Sequence, residues 1–169
     1  LFQLAEEQGF DWGWTYDSLA PAALLERGQE AAERAIQLDP RLADGWLARG
    51  GLLAFENSGT LAGVPEALRR AVDLDSGNAE AHQELGMSLR LLDQDSAAAV
   101  QFRDALSIDP DRPMSLVHLG WIDMIARRYT DARRWLDSAA AVNPGFYQAY
   151  AERASLRLIT GDTAGARAD

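Results

Sequence analysis

Between Glu80 and Leu92 the apolar residues Ala81, Leu85, Leu89 and Leu92 recur at intervals of three and four, which places them on one face of a helix. From Ser96 to Ile108, Ala99, Phe102, Ala105, Leu106 and Ile108 form an opposing wall, with Ser96 behind Asp95 as the expected N-cap. The two stretches predict a helical hairpin. The hairpin then repeats: residues 79–112 overlay residues 113–146 without a gap, at a period of 34. Ala98, Phe102, Ala105 and Pro110 fall on Ala132, Leu136, Ala139 and Pro144, while Leu85-Gly86 falls on Leu119-Gly120. A fixed period in this range means stacked helical hairpins.

The same comb runs outward in both directions. Residues 43–78 carry Trp46, Gly50, Leu53, Leu68 and Ala71 in register once two extra residues are allowed around Ser58 to Gly63. Tyr147 opens a further unit, 147–169, with Tyr150, Ala154 and Ala166 in place, and the chain stops inside its second helix. Upstream, residues 1–40 read as an irregular hairpin, with Leu1 to Gln8 as the tail of its first helix and Ala31, Ala35 and Asp39-Pro40 closing the second. The whole is expected to be one solenoid domain. Asp39-Pro40, Asp109-Pro110 and Asn143-Pro144 end their units, because the residue before a proline is pushed out of the helical region. Gly86 and Gly120 are expected at the helix crossings, where a larger residue would force the backbones apart.

These residues resemble the tetratricopeptide repeat family. Its unit has a bulky residue at position 4, Leu at 7, Gly or Ala at 8, a large apolar residue at 11, Ala at 20, an aromatic or Leu at 24, Ala at 27 and Pro at 32. Residues 79–112 fit all but one position, with His82 at position 4; residues 113–146 likewise, with Asp123 at position 11. The outer units depart further: Arg49 and Arg153 stand at position 7, Arg157 at 11 and Ser76 in place of the closing proline. The resemblance implies an all-α, right-handed α-solenoid of antiparallel helix-turn-helix repeats that binds other proteins.

Composition narrows the class further. The chain has 169 residues, 47% of them hydrophobic, yet a repeat array buries its core between neighbours. It has no cysteine, so neither a disulfide framework nor a thiolate metal site is available. A net charge of -10 works against nucleic-acid binding and against contact with anionic membranes, and no apolar run approaches a membrane span. Leu1 in place of an initiator Met reads as a segment of a longer protein, with the cytoplasm weakly favoured as its compartment.

By the family geometry, the first helix of each unit exposes positions 2, 5, 6, 9, 12 and 13 on the concave face. Candidate partner-binding residues in those columns are Leu47, Gln83, Met87, Arg90, Val117, Trp121, Met124 and Ser155. Family members that grip a C-terminal carboxylate carry Lys, Arg and Asn there. In those columns this chain has one basic residue, Arg90, against the acids Asp44, Glu80, Glu84 and Glu152. The reading is a groove centred on Met87, Trp121 and Met124 for an apolar or amphipathic peptide, its acidic rim preferring basic flanks. Trp121 packing against a neighbouring helix is the competing reading.

Other features carry less chemistry. Phe10, Trp12, Trp14 and Tyr16 precede Pro21 as a ligand cage or, more simply, as a cover for the open end of the array. His82 and His118 share no column and have no Cys nucleophile to pair with, so both read as packing or surface residues. Asp73, Asp75, Asn78 and Glu80 lack the glycine and closing glutamate of a calcium loop and read as an inter-repeat turn. No P-loop, dinucleotide fingerprint or nucleophile elbow occurs, so no enzymatic activity and no cofactor are expected. Two alternatives stand beside the groove: a docking or sensory arm of a kinase, cyclase or transcriptional regulator, and a self-assembly module.

Overall fold

The structure is a computed structural model that describes residues 21–56 and 61–167. Among them are nine helices: α1 (Pro21–Leu38), α2 (Ala43–Glu56), α3 (Val64–Leu74), α4 (Ala79–Leu91), α5 (Asp95–Ile108), α6 (Pro113–Ile125), α7 (Tyr129–Val142), α8 (Tyr147–Ile159) and the short α9 (Thr163–Ala166). Helices pack in sequence order, most extensively as α2 with α3, α4 with α5 and α6 with α7. The first helices of successive hairpins also touch, α2 with α4 and α6 with α8, which puts them on the inner side of the array. The aromatic residues 10–16, the tail 1–8 and positions 57–60 of the long loop lie outside the described residues.

Two recurring turns set the period. Between hairpins, the side-chain oxygen of Asp39, Asp75, Asp109 and Asn143 accepts a hydrogen bond from the backbone N–H two residues on, at 2.9–3.1 Å. This local ring turns the chain with or without proline, which is why Ser76 after Asp75 is tolerated. Asn78 then caps α4, its side chain accepting from Ala81 N at 3.0 Å. Within hairpins, Asp93, Arg127 and Gly161 adopt left-handed backbone, with φ of 57°, 60° and 86°. The next N–H in each case reaches back five residues: Gln94 to Leu89, Arg128 to Asp123 and Asp162 to Arg157, at 2.8–2.9 Å. That closure is the Schellman end of a helix. It also displaces the expected cap: α5 begins at Asp95 with Gln94 as N-cap, and Ser96 already lies inside the helix.

The helix crossings depend on glycine. A Cβ on Gly86 would meet the Phe102 ring at 2.8 Å, one on Gly120 would meet Leu136 at 2.8 Å, and one on Gly50 would meet Leu68 at 2.5 Å. Phe102, Leu68 and Leu136 are themselves fully buried. Around them run two clusters, one built on Val64, Leu68, Leu85, Leu89, Phe102, Leu119 and Ile122, the other on Leu116, Leu136, Ala139 and Leu156. Trp121, Trp135 and Leu106 pack against both and join them.

The departures from the repeat pattern have partners. Arg49 bonds Glu33 at 3.1 Å and lies 5.6 Å from the Trp46 ring; Arg153 bonds Asp137 at 3.2 Å and lies 5.0 Å from the Tyr150 ring. In each case an arginine at position 7 leans on the aromatic residue at position 4 and pairs with an acid on the preceding helix. The leucine of the central units is thus replaced by an arginine whose stem packs and whose head is paired. Buried Asp123 accepts from Arg128 Nε and Nη2 at 2.8 and 2.6 Å on one oxygen and from Trp135 Nε1 at 2.9 Å on the other. It ties α6, the turn and α7 together where the family has an apolar contact. Arg157 at the same column donates to the carbonyl of Gly165 at 2.6 Å and holds α9.

Candidate interaction surface

The inner side offers the outward faces of α2, α4, α6 and α8. Of the eight candidate residues, Leu47, Met87 and Trp121 are half-buried hydrophobics leaning on the core, with part of each surface free. Val117 and Met124 are corrected: at 6% and 8% exposure they belong to the second core cluster, and the groove is not centred on Met124. The cause is the close approach of α8 to α6, which brings Ala149 and Leu156 into that cluster. Ser155 spends its hydroxyl on the carbonyl of Ala151, one turn back, at 3.0 Å. Gln83 accepts from Arg112 Nε and Ser115 Oγ, each at 3.1 Å, and so braces α4 against α6.

What the groove keeps is a double row. Leu91, Ile125 and Ile159 are exposed by 58%, 59% and 55%, and they occupy position 13 of three successive units. Each lies one helical turn beyond a residue of the position-9 row, Met87, Trp121 or Ser155, and so shares its face. The periodic comb already held this column, but a sequence pattern does not distinguish a helix end left open from one covered by a loop.

Arg90 and His118 complete the surface. The Arg90 guanidinium carbon lies 4.8 Å from the centre of the Trp121 ring, and its Nε is buried without a hydrogen-bond partner. His118 stacks on Phe102 with ring centres 5.0 Å apart, and its Nε2 is likewise buried and unpartnered. Burial, and secondarily the Arg90 charge, lower the His118 pKa to about 4. Burial likewise raises the Glu84 pKa above the usual carboxylate range, with Glu80 adding to the rise and Gln83 and Arg112 opposing it. His82 is a framework residue: Nδ1 lies 2.9 Å from Gln101 Oε1 and Nε2 3.2 Å from the carbonyl of Ser76. Asp75 and Asn78 of the acidic turn are engaged in the Asx turn and the α4 cap.

On the outer side, an open cleft of about 420 Å³ runs between α3 and α5, lined by Arg69, Val72, Leu85, Leu89, Val100 and Gln101. Its floor is core leucine and its rim mixed, without a repeated row. Among the described residues no helix is long and apolar enough to cross a membrane.

The fold is an all-α helical-repeat array of the tetratricopeptide-repeat type. No protein-family model and no curated protein sequence matches the chain. Solved structures do. MamA superposes with a TM-score of 0.71 at 20% identity, covering 88% of this chain and 89% of its own. PilW, a type IV pilus biogenesis factor, gives 0.76 at 21%, covering 97% and 70%. YrrB, a tetratricopeptide-repeat protein with an unusual peptide-binding site, gives 0.68 at 16%, covering 98% and 86%. At these identities the likeness is one of fold.

Proposed function

We propose that the chain is a non-catalytic protein-interaction scaffold in which an apolar or amphipathic peptide segment lies across the first helices, over Met87 and Leu91, Trp121 and Ile125, and Ile159. The observation that carries this reading is the row Leu91, Ile125 and Ile159: large aliphatic side chains, more than half exposed, recurring at the repeat period. Leaving such residues in water forgoes roughly 25 cal/mol per Å² of burial, which a docked partner recovers. A repeated row suits an elongated ligand, because each unit supplies an equivalent contact. The half-buried Met87 and Trp121 add adaptable contact area beside it. Peptide binding by YrrB, which shares the fold, lends support by analogy.

The test is selection from a random twelve-residue peptide library displayed on phage, followed by titration of the enriched peptides. Leu91→Asp and Ile125→Asp are expected to weaken binding by at least tenfold with the melting temperature little changed. If no peptide is enriched, or enriched peptides bind both variants as well as the parent, the reading fails.

A further inference from the structure

Among the described residues, the inner surface carries one first-helix arginine without a carboxylate partner. Arg49, Arg153 and Arg157, the other arginines on first helices, each reach a carboxylate of the chain: Glu33 at 3.1 Å, Asp137 at 3.2 Å and Asp162 at 3.9 Å. Arg90 has no ion pair among the described residues, although the sequence holds 26 acidic residues to 16 basic ones. Its guanidinium is instead fixed against the Trp121 ring, and its Nε has no acceptor. Nε itself is out of a ligand's reach, but the side chain as a whole is only half-buried, and a cation held by an aromatic face with no carboxylate partner among the described residues is preorganised for an incoming one.

From this we infer that the bound segment carries an acidic side chain, Asp or Glu, that seats on Arg90 between apolar neighbours. The inference rests on the groove reading above and adds the chemistry of its occupant. An internal side chain fits better than a chain terminus. Arg90 lies one turn from Met87 and rests on Trp121, which itself lies one turn from Ile125, so the cation has apolar neighbours on both helices. A terminus stopping at Arg90 would leave the row toward Ile159 uncovered. It would also meet Glu80, Gln83, Glu84 and Met87 in the neighbouring columns of α4, where further donors are needed.

The probe is the same twelve-residue library, selected in parallel on the parent protein and on Arg90→Glu, with enriched peptides titrated as C-terminal amides. Selection on the parent is expected to enrich a single Asp or Glu flanked by aliphatic or aromatic residues. Replacing that acid by its amide, or using Arg90→Gln, is expected to weaken binding at least tenfold, as loss of a charge-assisted hydrogen bond does. Arg90→Glu is expected to enrich Lys or Arg at the same place with the apolar flanks retained. Melting curves on both variants separate lost affinity from lost folding. Apolar peptides enriched without an acid, or peptides that bind only with a free C-terminus, overturn this inference and leave the groove standing. No enrichment at all overturns both.

Discussion

Arg90 on α4 and Trp121 on α6 meet at 4.8 Å, guanidinium carbon to ring centre, and this contact joins two adjacent units on the face where a partner is proposed to lie. Trp121 also packs against both core clusters, so its indole serves the fold on one side and the groove on the other. Trp121→Ala is expected to cost about 2–3 kcal/mol in denaturant unfolding, below the ~3–5 kcal/mol of a fully buried tryptophan. Trp121→Phe is expected to recover most of that loss. A Trp121→Ala variant as stable as the parent would remove the indole from the core.

Glycines on the first helices are expected to differ in sign. A Cβ at Gly120 would press on Leu136 and on the carbonyl of Ala132, so Gly120→Ala is expected to destabilise by about 1–3 kcal/mol. Gly51 is exposed on α2 with nothing within 4 Å of its would-be Cβ, so Gly51→Ala is expected to stabilise by about 0.5–1 kcal/mol. Thermal or chemical denaturation of the two variants checks the contrast.

The left-handed turn residues give a second stabilising change. Arg127 sits at φ 60°, where a side chain costs ~1–2 kcal/mol and glycine costs little. Arg127→Gly is expected to raise stability by about 0.5–1 kcal/mol, read as a higher denaturation midpoint at unchanged m-value. A lower midpoint would mean that the arginine side chain contributes more than the backbone loses.

Asp123 is the opposite case. Asp123→Ala strips Trp135 of its acceptor and Arg128 of its carboxylate, and since Arg128 is half-exposed the expected cost is about 2–3 kcal/mol rather than the ~3–5 kcal/mol of a fully buried pair. Asp123→Leu, which restores the apolar residue of Leu89 in the preceding unit, is expected to recover part of it. Equilibrium unfolding of both variants tests the ranking.

His118 predicts a pH effect. Its folded pKa of about 4 lies below the 6.5 of an ordinary histidine, so between these limits the unfolded chain binds more protons. Stability therefore falls as pH falls from about 6.5 to 4, by roughly 2–3 kcal/mol from this group, and levels off below. Glu84 acts oppositely: its raised pKa adds stability on acidification, which is lost again as pH rises through the folded value. His118→Phe is expected to flatten the acid limb of the stability profile, and Glu84→Gln to steepen it. An acid limb unchanged in His118→Phe would place the effect elsewhere.

Helix type, the hairpin period and the glycine crossings were legible in the sequence, because each rests on residues a few positions apart or on a column repeated at fixed spacing. Gly86 and Gly120 at the crossings follow from that spacing, and the structure sets Phe102 and Leu136 opposite them. What stayed hidden depends on partners from other helices. Arg49 and Arg153 read as faults in the pattern until Glu33 and Asp137 appear beside them. Val117 and Met124 have the periodicity of groove residues, yet the approach of α8 buries them, while Leu91, Ile125 and Ile159 keep their exposure. That Arg90 rests on Trp121 with no carboxylate partner among the described residues is likewise a property of the assembled array.

The central claim, that a peptide lies across the first helices, is tested most directly by amide and methyl NMR shift mapping with an enriched peptide. The account predicts saturable shifts concentrated at Met87, Arg90, Leu91, Trp121, Ile125 and Ile159. Shifts concentrated instead on the second helices, around Val72, Val100 and Gln101 of the outer cleft, would contradict it.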